Sequence, residues 1–139
     1  LNERGQKQAR VLAETLLNVL AGAEAVALSS SPKARCQETL GPLAEGLGQK
    51  VIVDPRLDER TFGEDERLLL GRLRSFLADW KSRPGDVLVA CSHGDVLPAL
   101  VELATGQGLE FSKAMWALLT LESDGRLSLA EVQRTVAGA

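Results

Sequence analysis

At 139 residues the sequence has the size of one domain, long enough to bury a substantial core, and its 45% apolar content is ordinary for a globular chain. A net charge of −3, with the lysines and arginines spread along the chain, leaves no basic footprint for a nucleic-acid partner. No apolar run approaches the roughly 20 residues of a membrane-spanning helix.

Residues 3–20 carry apolar side chains at Ala9, Leu12, Ala13, Leu16, Leu17 and Leu20, the spacing of an amphipathic helix. Asn2 is placed to cap it and Gly22 to stop it. Residues 25–29 read as a short buried strand ending in Ser29-Ser30-Ser31-Pro32. A helix over about 33–47 turns Leu40, Leu43 and Leu47 inward, with Pro42 as a possible bend. Val51–Val53 is a short strand closed by Asp54-Pro55, and 56–66 has no period and reads as a loop.

The third helix, about 66–82, sets Leu69, Leu70, Leu73, Phe76, Leu77 and Trp80 on one side. Asp86–Cys91 is nearly all apolar, as a strand covered on both faces of a parallel sheet must be. A helix over 96–103 follows, stopped by Gly106 or Gly108. Residues 114–121 and 126–132 are strand-like and joined by Glu122-Ser123-Asp124-Gly125, a hairpin signal. Strands alternating with helices predict a three-layer α/β/α domain over 1–139, with a mostly parallel sheet and a C-terminal hairpin.

Ligands of open α/β sheets bind beyond the carboxyl ends of the strands. Two such ends carry polar chemistry. After the first strand come Ser30, Ser31, Pro32 and, early in the next helix, Arg35: helix-start amides beside an arginine fork form an anion seat. After the apolar 86–91 strand come Ser92, His93, Gly94 and Asp95, with the sole histidine at the strand-to-helix turn and Gly94 allowing close backbone approach. Taken singly, each feature has an ordinary explanation. Ser-Ser-Ser-Pro caps helices, an early-helix arginine is commonly a solvated charge, and a histidine at a helix start is commonly a structural hydrogen-bonder. Glu59 taken alone has a weaker claim still. Cys36 and Cys91 lack metal spacing and read as small buried hydrophobes in a reducing compartment, although a disulfide stays open. Cys91, two residues before His93, is a reactive thiol if exposed.

Four segments together resemble the histidine phosphatase (phosphoglycerate-mutase-like) superfamily. Ser30-Ser31-Pro32-x-x-Arg35-x-x-x-Thr39 is similar to its SSPxxRxxxT signature, and Leu57-x-Glu59-x-x-Phe62-Gly63 to its acid-bearing loop. Ser92-His93-Gly94 resembles the motif of its second histidine, and Leu1-x-x-x-Gly5-x-x-Gln8-Ala9 the opening of its first helix. The short interval from Glu59 to His93 resembles the small phosphohistidine-phosphatase branch, and also the phosphatase module that some bacterial proteins carry behind a Nudix domain.

The resemblance implies a phosphohydrolase working through a phosphohistidine intermediate on a small phosphomonoester or a phosphohistidine protein. Arg35 and His93 would stabilise the phosphoryl group, Glu59 would act as general acid, and Ser30 and Gly94 would add phosphate contacts. Asp58 and Glu64 are close enough to substitute for Glu59. No metal or cofactor is implied, a cytoplasmic location is expected, and oligomeric state is not addressed. The extra helical material that the larger mutases and sugar phosphatases of the family carry between the positions of Glu59 and His93 is missing, which argues against a mutase. The sequence also departs from the family's usual Trp-Glu-Gly after the acid loop.

One departure is large. The family's nucleophile is the histidine of an Arg-His-Gly motif ending a strand that would precede Leu1, and the sole histidine here, His93, belongs to the later motif. The expectation is an N-terminally incomplete domain; a non-catalytic phosphate-binding relative stays open. The expected strand order is 51–53, 25–29, the absent strand, 86–91 and the terminal pair. Arg35 and His93 would then flank one phosphate, with their heads about 4–8 Å apart. A gap in mid-sheet would leave unpaired backbone groups at roughly 1–3 kcal/mol each, enough to make these residues fold poorly alone.

Overall fold

The computed structural model describes residues 2–20, 26–82, 87–106, 116–121 and 127–132. Helix α1 spans Glu3–Val19 and starts at Asn2, whose side-chain oxygen accepts from the Gly5 amide at 2.8 Å. It buries Ala9, Leu12, Ala13 and Leu16, as its period requires, and Leu20 is buried at its C-cap. Strand β1 (Val26–Ser30) leads to α2 (Ala34–Leu47), which begins after an extended Lys33, one residue later than the sequence spacing predicts. Gly48, at φ 67°, closes α2 in the left-handed region that glycine adopts without a Cβ penalty. Strand β2 (Ile52–Val53) and a 3-10 turn (Pro55–Leu57) precede α3 (Glu66–Lys81), capped by Asp65. Strand β3 (Val87–Cys91), helix α4 (Leu97–Thr105), and strands β4 (Trp116–Leu121) and β5 (Leu127–Val132) complete the order. Gly22, Gly108 and the expected Glu122–Gly125 turn lie outside the described residues.

The sheet runs β2-β1-β3-β4-β5, with β1 parallel to β2 and β3, and β4 antiparallel to both β3 and β5. The expected mid-sheet gap is corrected here. β1 pairs directly with β3 over five positions, from Val26↔Val87 to Ser30↔Cys91. Two parallel strands of equal length present matching donors and acceptors to each other, so the unpaired edges expected between them do not exist.

Alternation along β3 divides the core. Val87, Val89 and Cys91 face α1 and α2 with Leu28 and Leu118, while Leu88 and Ala90 face α3 and α4 with Ala117 and Leu119. Leu16, Leu88, Leu73 and Leu100 are all fully buried. The register also matters for function. Because Ser30 lies opposite Cys91, the two chains leave the sheet at one level, with Ser31 next to Ser92.

Candidate active site

The Ser31 amide donates to the Cys91 carbonyl at 3.0 Å, carrying the β1–β3 pairing one step past the strand end. Beyond that point both chains turn. The His93 carbonyl accepts from the amides of Val96 and Leu97 at 3.0 and 2.8 Å, so Gly94, Asp95 and Val96 form a turn into α4. After β1, Lys33 is the N-cap of α2, and Arg35 is the second residue of that helix.

The two strand ends bring Arg35 and His93 together. Arg35 Nη2 lies 3.2 Å from His93 Nδ1, closer than the spacing expected across a phosphate, because the guanidinium donates to the ring itself. A guanidinium can only donate, so Nδ1 is the acceptor and Nε2 of the neutral ring carries the proton. Nε2 then donates to Ser31 Oγ at 2.8 Å, and the same oxygen accepts from the Lys33 amide at 3.2 Å. Burial, followed by the Arg35 charge, pushes the imidazole below its usual pKa; Glu59, Asp58 and Asp95 oppose this. His93 is 5% exposed and its ring is held at both nitrogens.

Two carboxylates face this group. Asp58 Oδ1 is 3.9 Å from His93 Nε2, and Lys33 Nζ sits 3.7 Å from Asp58 Oδ1 and 3.6 Å from Glu59 Oε1. The loop that carries them is tied to the histidine segment twice: Ser92 Oγ donates to the Leu57 carbonyl, and the Arg60 amide donates to Asp95 Oδ2 at 3.2 Å. The Cys36 thiol donates to the Ser92 carbonyl at 3.4 Å. Cys36 and Cys91 are both free and fully buried, and the neighbouring Cys36 sulfur, then burial, push the Cys91 thiol up.

The residues singled out in the sequence are thus distributed unevenly. Arg35 and His93 touch, and Glu59 approaches through Lys33. Ser30 is fully buried, and its hydroxyl donates to the Ser31 carbonyl at 2.8 Å; the serine at the histidine is Ser31. Gly94 belongs to the turn after His93. The sequence reading missed the Ser31 hydroxyl, Lys33 and Arg72. Ser31 and Lys33 stand inside the Ser-Ser-Pro-Lys-Ala-Arg run, where one strand-end step decides which hydroxyl faces the histidine. Arg72 bonds the carbonyls of Arg56, Asp58 and Glu59 from α3, a contact with no signal in sequence spacing.

Chemically, the cluster offers a guanidinium, an ammonium, an imidazole N–H, a hydroxyl and two carboxylates. Cationic and N–H donors around one point match the oxygens of a phosphate, and a nearby carboxyl matches the proton that a leaving oxygen needs. Among the described residues no group of three histidine, cysteine, aspartate or glutamate side chains is arranged to hold a metal ion.

Known proteins of one family resemble this chain. The profile described as Histidine phosphatase superfamily (branch 1) matches residues 1–70, which include Arg35 and Glu59. An 8-oxo-(d)GTP phosphatase of Mycolicibacterium smegmatis is 32% identical over 96 residues, covering 69% of this chain and 28% of that protein. A Hydrogenobacter thermophilus protein provisionally named phosphoserine phosphatase 2 is 31% identical over 143 residues, covering 79% of this chain and 68% of that protein. The chain therefore spans 28% of the first relative's length and 68% of the second's. Among solved structures, a mycobacterial glucosyl-3-phosphoglycerate phosphatase in complex with VO3 superposes with a TM-score of 0.69 at 21% identity, over 97% of this chain and 87% of that one, a likeness of fold. On these grounds the chain belongs to the histidine phosphatase superfamily.

Proposed function

We propose that this chain forms the phosphate-binding and proton-transfer part of a phosphatase that hydrolyses a small phosphomonoester or a phosphohistidine. The observation that carries the reading is the direct 3.2 Å contact of Arg35 with His93, with Ser31, Lys33, Asp58 and Glu59 around it. The names of the two relatives, both phosphatases, support the same class.

In the proposed mechanism a histidine nitrogen attacks phosphorus as the bond to the leaving oxygen breaks. Glu59 gives that oxygen a proton. Water then attacks phosphorus while the Glu59 carboxylate takes its proton, and the phosphorus–nitrogen bond breaks with its electron pair returning to the histidine, releasing phosphate. Arg35 holds the equatorial oxygens, where charge is greatest in the transition state, and His93 joins it by exchanging Ser31 Oγ for a phosphate oxygen as the acceptor of its N–H. His93 is unsuited to be the nucleophile, since both ring nitrogens are engaged. The attacking histidine is proposed to come from outside residues 1–139, because His93 is the sole histidine among them.

A second reading follows from that same count. A chain without a nucleophile binds phosphate and does not turn over. One experiment separates the two: hydrolysis of p-nitrophenyl phosphate by the native polypeptide, with orthovanadate as competitor. Turnover that orthovanadate inhibits and that Arg35→Met weakens supports the phosphatase. Vanadate binding without turnover supports the binding module, and neither binding nor turnover refutes both. A substrate related to that of the Mycolicibacterium relative, a damaged nucleotide, is tested in the same assay with 8-oxo-dGTP.

A further inference from the structure

We propose that Arg72 is a positioning residue that sets the place of the general acid by clamping the backbone of the loop behind Glu59. The proposal rests on the reading of Glu59 as proton donor. It concerns a residue of α3 that bonds the backbone carbonyls beside Glu59.

The loop from Asp58 to Glu64 lies in neither helix nor strand. Arg72 bonds two of its carbonyls, those of Asp58 and Glu59, and the Arg56 carbonyl just before it. Its Nη1 donates to the Arg56 and Asp58 carbonyls at 2.7 and 2.8 Å, and its Nη2 donates to the Glu59 carbonyl at 3.4 Å. Nε and Nη2 also form a fork on Glu64, at 2.8 and 3.0 Å. These contacts use all five N–H donors of a guanidinium. The Arg72 and Glu64 side chains are only 19% and 10% exposed, so water competes weakly for them.

Glu64 in turn folds the loop tip. Its carboxylate accepts from the Thr61 amide at 3.3 Å, its amide donates to the Thr61 carbonyl at 3.0 Å, and its carbonyl accepts from Arg60 Nη2 at 3.1 Å. Arg72 beside it holds the Glu64 carboxyl below the usual range. Gly63, at φ 85°, makes the return possible without strain. The Glu59 backbone is thereby held at its carbonyl while its carboxylate meets Lys33 at 3.6 Å.

A clamp of this kind acts on geometry, and a carboxyl displaced by about 1 Å from a leaving oxygen costs on the order of 100-fold in rate. The selective effect falls where protonation is needed. Alkyl phosphates require a proton on the departing oxygen, whereas p-nitrophenolate leaves without one. Arg72→Met should therefore lower kcat for an alkyl phosphate by about 10- to 100-fold, with p-nitrophenyl phosphate changed far less and KM nearly constant. Arg72→Lys should not restore the rate, since three donors on one point cannot span the five acceptors.

The test is a double-mutant cycle in the native polypeptide on both substrates, using Glu59→Gln, Arg72→Met and the pair. If Arg72 acts through Glu59, the pair loses no more on the alkyl phosphate than Glu59→Gln alone. Losses that multiply, or an Arg72→Met loss equal on both substrates, overturn the positioning role while leaving the acid reading intact. A Glu59→Gln variant that keeps full alkyl phosphate activity overturns the acid reading and the proposal with it. Should Arg72→Met fail to fold, Glu64→Gln weakens the same clamp and should give the same substrate-selective loss at smaller size; a uniform loss from it overturns the proposal.

Discussion

Replacing Arg35 with methionine keeps the helical stem and removes the fork. Arg35 is an exposed residue, and its contact with His93 is a partly buried one. A pair of that exposure contributes about 0–1 kcal/mol to stability, so the variant should unfold in urea within that margin of the parent. The effect on phosphate is larger. A charge-assisted hydrogen bond contributes roughly 1.5–3 kcal/mol, and the exposure of Arg35 argues for the lower half of that range. A loss of about 2 kcal/mol from the transition state corresponds to about a 30-fold fall in kcat/KM. Steady-state hydrolysis of p-nitrophenyl phosphate by the native polypeptide, paired with urea midpoints, reads both quantities. Arg35→Lys should fall between, since it keeps the charge and loses the fork. Unchanged kcat/KM, or a fall in activity matched by an equal fall in stability, would refute the anion-seat reasoning.

Leu73→Ala, at a fully buried position between α3 and the sheet, should cost about 2–5 kcal/mol by urea denaturation, and a cost below about 1 kcal/mol would mean that the site collapses freely. His93 supplies a pH prediction. Its folded pKa lies below the usual value of about 6.5, so the unfolded chain takes up the proton first and stability falls as pH drops below about 6.5. Between about pH 7 and 5 the urea midpoint of the parent should fall more steeply than that of His93→Gln; equal slopes would contradict the assignment. Cys36 and Cys91 should react with a thiol reagent only as the protein unfolds, because both are fully buried; rapid labelling of Cys91 in the native state would show an opening at the site.

The helices were legible because their burial follows the 3.6-residue period: Leu12 and Leu16 in α1 with Leu20 at its C-cap, and Leu69, Leu73, Phe76 and Trp80 in α3, are buried residues that the spacing indicates. The strand β3 was legible because both its faces are covered, which removes polar residues from the whole run. Strand-end logic also pointed to Arg35 and His93. The direct β1–β3 pairing was not legible, since nothing in either strand's sequence says whether another strand stands between two parallel edges. The loop over 58–65 lacks a period because side chains from α3 hold it, and polar contacts across 13 to 16 positions leave no repeating pattern. Ser31 was passed over for Ser30 because the choice depends on where β1 ends, a one-residue matter that the serine run conceals.

The central claim is that Arg35, Ser31 and His93 seat a phosphoryl group that another histidine accepts. Rapid acid-free quenching of the native polypeptide with a 32P-labelled phosphomonoester tests it most directly. The account predicts a covalent label stable to base and lost in acid, mapped to a histidine other than His93 and reduced in yield by Arg35→Met. A label on the peptide containing His93, or turnover at full rate with no covalent label, would contradict it.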